Sequence, residues 1–230
     1  MKKRKCLFIV LFILFCLFLF FGYFIIVNRK VQEDKLLYDI EKFSQQDILC
    51  NRTFSSSTVS FKYKEVEAVI EDYIDDFYKQ YQKVMNYAND QELITLLSVS
   101  NYLEDGKEFN YSLEYLEKVR VDFQKDIDKL LLFCTKKGIV EFSKVSKLSG
   151  YYQEVFVSSV LNSSLFVKFQ NYRELFLGSQ NKMNHVFNVI NNTLNFLKIN
   201  ADSWKIENNE IQFSTEDLVN QYNDLVSNIE

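Results

Sequence analysis

A single histidine, His185, serves all 230 residues, and that limits the chemistry open to the chain. A zinc site takes three or four ligands from Cys, His, Asp and Glu. A His-based triad needs a nucleophile beside the imidazole. His185 falls opposite the apolar seam of its own helix, so it reads as a solvated side chain. Ser179-Gln180-Asn181-Lys182 fits the S-x-x-K spacing of serine acyl enzymes, but the companion K-T-G motif is missing. Directly after Gly178, Ser179 reads instead as a helix cap.

Carboxylates offer the other route to chemistry. Glu65, Glu67, Glu71, Asp72, Asp75 and Asp76 crowd one helical stretch. Glu71/Asp75 and Asp72/Asp76 are i,i+4 pairs of like charge and repel slightly. A divalent cation would relieve that repulsion, since calcium takes several oxygens, but no EF-hand spacing or glycine is present. A solvated helix face is the default reading, and a metal or a basic partner is the alternative. Tyr73, Phe77, Tyr78, Tyr81 and Tyr151-Tyr152 are residue types that anchor interfaces, yet their helical spacing points to core. Four glycosylation sequons, at Asn51, Asn110, Asn162 and Asn191, are what chance provides in an Asn-rich chain. There is no Gly-rich phosphate loop and no dinucleotide fingerprint. No catalytic, cofactor-binding or metal-binding residue is therefore assigned, and the chain is not expected to be an enzyme.

The strongest signal lies elsewhere. Lys2-Lys3-Arg4-Lys5 precedes a run from Cys6 to Val27 without one charged residue. At about 1.5 Å per residue, 22 helical residues span about 33 Å, enough for a hydrocarbon core of about 30 Å. A cleaved signal peptide would have a shorter apolar stretch and a small-x-small site. The run instead ends Tyr23-Phe24-Ile25-Ile26-Val27-Asn28. Phe15 before Cys16 argues against a lipidated cysteine. Residues 1–5 thus read as a cytoplasmic basic tail and 6–27 as a single-pass transmembrane signal-anchor. The Lys/Arg bias puts the amino terminus in the cytoplasm and the rest outside the cell membrane. The run holds one glycine, Gly22, so no GxxxG packing face exists.

Beyond Val27 lie 203 residues. Setting aside the four basic residues before the run leaves 23 Lys and Arg against 31 Asp and Glu, a net charge of −8. That balance excludes a nucleic-acid binder, which wants a basic face, and argues against clinging to an anionic membrane. Proline is absent and glycine scarce, which predicts long helices and few tight turns. The wealth of Asn, Lys, Ile, Phe and Tyr suits an AT-rich, bacterial genome. Cys50 and Cys134 could form a bridge outside the cell, or stay small buried hydrophobes.

Periodicity supplies the elements. Residues 28–60 read as a juxtamembrane helix followed by a polar Ser/Thr-rich stalk, and 61–230 as an extracytoplasmic helical bundle. Val66, Ile70, Tyr73, Phe77, Tyr81, Val84 and Ala88 mark one face of a helix over 61–88. Asp90 caps a shorter helix through Leu103. A helix over 108–135 follows from Leu116, Val119, Phe123, Ile127, Leu130 and Cys134, with Lys136, Lys137 and Gly138 closing it. Residues 151–177 are apolar all round and central, with a break at Asn162-Ser163-Ser164 and an end at Gly178. Met183, Phe187, Ile190, Leu194 and Leu197 form a coiled-coil-like heptad. Asn208-Asn209 joins two strands, and Ser214 caps a last helix. The fold class is all-α: a transmembrane helix, then an elongated antiparallel bundle with a small β-hairpin near the carboxyl terminus.

The expected function is a membrane-anchored, extracytoplasmic interaction or scaffold module, embedded in the lipid bilayer through residues 6–27 and binding a protein partner or itself. A ligand-sensing subunit working with a membrane partner is the alternative. A carboxylate-based enzyme centred on Glu71 to Asp76 comes last.

Overall fold

A computed structural model describes residues 2–49 and 54–228, with only the backbone described for residues 2–14 and 16. Among the described residues the chain is mostly helical, with one two-stranded antiparallel hairpin near the carboxyl terminus. The helices are α1 (Lys2–Ser44), α2 (Phe61–Ala88), α3 (Gln91–Thr95), α4 (Val99–Asp105), α5 (Asn110–Phe133), α6 (Lys136–Val145), α7 (Tyr151–Leu161), α8 (Ser164–Ile199) and α9 (Glu216–Ser227). The strands are β1 (Trp204–Glu207) and β2 (Glu210–Phe213), entered through a 3-10 turn at Ala201–Ser203. The residues divide into two compact units, each made of separate stretches: 1–75 with 136–168, and 76–135 with 169–230.

The first unit packs α1, the start of α2, α6, α7 and the start of α8. Leu36, Ile40 and Phe43 of α1 are sealed from solvent, as are Val66, Ile70 and Tyr73 of α2. This is the apolar stripe at helical spacing that buries a helix. Tyr73 meets Phe142 at 4.9 Å and Phe156 at 6.1 Å, edge on in both cases, an arrangement that suits the ring quadrupoles. Helix ends are closed by side chains. The Ser164 backbone N–H at the start of α8 donates to the Glu41 carboxylate at 2.8 Å. Lys168 donates to the carbonyl of Ser44 at 3.1 Å, the last residue of α1, and to that of Gln46 just beyond it.

The second unit packs the rest of α2 with α3, α4, α5, the rest of α8, the hairpin and α9. Leu116, Val119, Phe123, Ile127, Leu130 and Cys134 are buried along α5, and Phe187, Ile190, Leu194 and Leu197 along α8. Trp204 anchors the hairpin. Its Nε1 donates to the Leu197 carbonyl at 2.7 Å, and its ring stacks on Phe109 with centroids 6.1 Å apart. Asn208 and Asn209 both adopt positive φ (53° and 63°), and Ile206 pairs with Ile211 across the strands. That is the backbone a tight primed turn demands.

Four helix boundaries differ from the sequence expectation. Gly178 does not end a helix, because α8 runs through it. One glycine costs a helix only about 1 kcal/mol, and buried Phe176 and Phe187 hold either side. Ser179 is accordingly mid-helix, donating to the Leu175 carbonyl. Lys136 and Gly138 do not close α5 but open α6, in which Ile139 is fully buried. The stretch after Asp90 is two helices. Asp90 accepts from Glu92 and Leu93, and Ser98 then competes for the backbone by accepting from Asn101. Thr215, not Ser214, caps α9.

The whole Cys6–Val27 run lies inside α1. Among the described residues, however, no helix is long and apolar enough to cross a membrane. The unbroken stretch with described side chains, Leu17–Val27, has eleven residues and reaches about 16 Å, half a hydrocarbon core.

Candidate functional site

Just beyond Val27, three elements of the first unit meet at a polar cluster. Arg29 and Glu33 stand one helical turn apart on α1. Tyr63 comes from the first turn of α2, and Tyr151 and Tyr152 from the first turn of α7. The Tyr63 hydroxyl lies 3.3 Å from the Arg29 carbonyl, 3.4 Å from Glu33 Oε1 and 3.3 Å from the Tyr151 hydroxyl. Tyr151 donates to the same Glu33 carboxylate. The Arg29 guanidinium sits over the Tyr151 ring at 4.6 Å, and Tyr152 meets Tyr63 edge on at 5.6 Å. Burial, then the hydrogen bond and charge of Tyr151, push the Tyr63 phenol well above its ordinary range. Burial and the Glu33 hydrogen bond push Tyr151 up as well. Both phenols hold their protons and act as donors. The cluster is thus a lock that fixes the starts of α2 and α7 against the middle of α1, with no activated nucleophile in it.

A second lock lies beside it. The segment after residue 53 runs back along α1 and α2 without regular structure of its own. Glu67, only 4 % exposed, accepts from Ser56 Oγ at 2.6 Å and Thr58 Oγ1 at 2.8 Å. Asp39, 3 % exposed, accepts from the Ser57 N–H at 2.7 Å and its hydroxyl at 2.8 Å. Gln32 accepts from the N–H groups of Val59 and Ser60 at 3.2 and 3.4 Å. Buried carboxylates need such donors, and here the Ser/Thr-rich segment supplies them.

The acidic stretch of α2 therefore splits in two. Glu67 points inward and is spent on that segment, whereas Glu71, Asp72, Asp75 and Asp76 are exposed. Although Glu71 faces water, partial desolvation of its carboxyl first, then the charges of Glu67, Asp75 and Asp72, raise it above its ordinary value. Among the described residues no group of three His, Cys, Asp or Glu side chains could hold a metal ion.

In the second unit, Tyr87, Leu93, Ile94, Leu97, Met183, Val186 and Ile190 line an apolar cavity of about 310 Å³. The polar end of Tyr87 is already engaged, donating to Asp126 Oδ2 at 2.9 Å. Gln80 donates to the carbonyl and the other carboxylate oxygen of Asp126. The cavity offers shape and grease, and no converging polar groups.

His185 is exposed, as its place on the heptad implied, and its Nε2 donates to the Asn228 carbonyl at 2.6 Å. Cys134 is fully buried, and burial pushes its thiol up to about 12. Cys50 and the sequon residue Asn51 fall outside the described residues, so the bridge to Cys134 lies there too. Tyr73 and Phe77 are core, while Tyr78 and Tyr81 are partly exposed or at the margin. Sequence reasoning missed Gln32, Asp39, Glu33 and Tyr63. A signal existed for two of them: Gln32 and Asp39 continue the stripe Leu36, Ile40, Phe43 at helical spacing, as polar residues on a buried face. No protein-family model, curated protein or solved structure matches the chain.

Proposed function

We propose that the chain is a membrane-tethered interaction module. Residues 6–27 form a single-pass anchor with the amino terminus in the cytoplasm, and the helical units stand outside the cell. The observation that carries this reading is the change along α1. Phe18, Phe20, Phe21, Tyr23, Phe24 and Ile26 are each at least 60 % exposed and point to every side of the helix, whereas Leu36, Ile40 and Phe43 are buried. A helix that is apolar all round and bare all round needs lipid or protein around it. In extraction with alkaline carbonate the full chain is expected to stay with the membrane pellet. Release into the supernatant would remove the anchor.

The interaction role is supported by the second unit, where Ile94 is 61 % exposed at the mouth of the apolar cavity. A photoreactive side chain in place of Ile94 is expected to crosslink one specific protein, or a second copy of the chain, in intact membranes. Labelling of no discrete species would count against the role. The same cavity favours, as a second reading, a small apolar ligand. Saturable binding of such a ligand to the parent chain, lost in Val186→Trp, would support that reading over the first.

A further inference from the structure

We infer that the base of the first unit is seated in the phospholipid headgroup layer, held there by an apolar edge formed by Val59 and Phe61 beside α1. This inference rests on the anchor proposed above and adds a second, independent membrane contact. Val59 and Phe61 are 74 % and 73 % exposed, although they flank a segment that is otherwise pinned down. Their height along α1 is set by hydrogen bonds. The Val59 N–H donates to Gln32, and Tyr63, two residues past Phe61, reaches the Arg29 carbonyl and Glu33. Arg29 to Glu33 lie two to six residues past Val27, or about 3 to 9 Å along the helix.

The headgroup region adds about 5 to 8 Å to each face of the hydrocarbon core. With Val27 at the core boundary, Val59 and Phe61 therefore fall within that layer. Val31, 44 % exposed, lies at the same level on α1.

The surrounding groups match this depth. Tyr151 and Tyr152, both half-buried, lie at this level, and amphipathic rings with polar tips favour the membrane interface. Arg29, Lys30, Lys62 and Lys64 are exposed around the edge, where long basic side chains reach phosphates while their stems lie on apolar surface. The Lys62 ammonium already sits 5.7 Å from the Phe61 ring centroid and 2.8 Å from Glu65. With Glu33, Asp34 and Glu65 close by, the edge carries little net charge, so the contact is with zwitterionic lipid and owes most to burial of the apolar side chains.

The test uses the full chain in phosphatidylcholine vesicles carrying a quencher either at headgroup depth or deep in the acyl chains. Trp204, the only natural tryptophan and 5 % exposed, gives a constant background. Phe18→Trp reports on the anchor, Phe61→Trp on the edge, and Tyr38→Trp on a site eleven residues past Val27. The expected result has three parts. The emission added by Phe18→Trp is lost to the deep quencher. That of Phe61→Trp is lost to the shallow one and shifted to the blue. That of Tyr38→Trp is untouched by either. Val59→Trp repeats the Phe61 reading at a second exposed position. Quenching of Phe18→Trp with none of Phe61→Trp or Val59→Trp would overturn the seated edge and leave the anchor standing. Loss of neither signal would overturn both.

Discussion

Removing the Glu67 carboxylate is expected to unfasten the segment between α1 and α2 and to destabilise the first unit. The cost can be worked from the contacts. Hydrogen bonds to a charged group contribute about 1.5–3 kcal/mol each, and Glu67 accepts two, from Ser56 and Thr58. The Ser56 hydroxyl is exposed and returns to water, so its loss is small. Thr58 is 4 % exposed, and stranding its hydroxyl costs about 1–3 kcal/mol. Against this, a buried carboxylate has been stripped of water, and deleting it relieves that penalty. Glu67→Ala should therefore cost about 2–3 kcal/mol. Glu67→Gln, whose amide can still accept from one hydroxyl, should cost about half as much. Thr58→Val combined with Glu67→Ala should show a coupling of about 1 kcal/mol. The assay is urea unfolding of the full chain in micelles, followed by circular dichroism, with amide exchange read at Ser57, Val59 and Ser60. Those three N–H groups bond to Asp39 and Gln32, so they should exchange faster in Glu67→Ala. A variant within 0.5 kcal/mol of the parent with unchanged exchange, or strictly additive single and double variants, would refute the reasoning.

Glu71→Gln should behave oppositely. Its carboxyl is raised by partial desolvation and by Glu67, Asp75 and Asp72, so the folded state holds that proton more tightly and gains stability as pH falls through the carboxylate range. The substitution should be neutral or stabilising by a few tenths of a kcal/mol, and should flatten the acid side of the melting-temperature profile; a clear destabilisation would contradict this. Phe187, fully buried and edge on to Phe123 at 5.6 Å, should cost about 3–5 kcal/mol as Phe187→Ala in chemical unfolding. A loss below about 1 kcal/mol would mean that the α5–α8 seam is not packed as described. Alkali should destabilise the second unit. The buried Cys134 thiol is pushed up to about 12, and burial and then Tyr222 push the Tyr102 phenol up. The unfolded chain loses these protons near pH 8.5 and 10, the folded chain later, so stability falls as pH rises past about 8.5, by up to about 1.4 kcal/mol per pH unit per group. A melting temperature that stays level from pH 8 to 11 would contradict it.

Local periodicity carried the helices well because burial follows it. The 61–88 helix has its expected bounds, and the heptad of α8 places Phe187, Ile190, Leu194 and Leu197 in the core. The Asn-Asn turn was legible because few residues tolerate positive φ. Stops were less legible. Gly178 and Lys136–Gly138 have the chemistry of helix ends, yet packing of their neighbours decides whether the helix continues, and that packing is tertiary. The locks around Glu33, Tyr63, Asp39 and Glu67 join residues up to 118 positions apart. Nothing in a charge pattern separates Glu67, which is spent on Thr58, from Glu71, which faces water. The polar segment before Phe61 read as a stalk because its composition is that of a loop; its Ser and Thr hydroxyls are instead the donors two buried carboxylates require.

The proposed tether, with its units outside the cell, is tested most directly by protease added to intact cells expressing the full chain, followed by probing of its carboxyl-terminal end. The expected result is loss of that end from the membrane fraction without lysis. A carboxyl terminus protected until the cells are broken would contradict the orientation, and full-length chain recovered free of membranes would contradict the anchor itself.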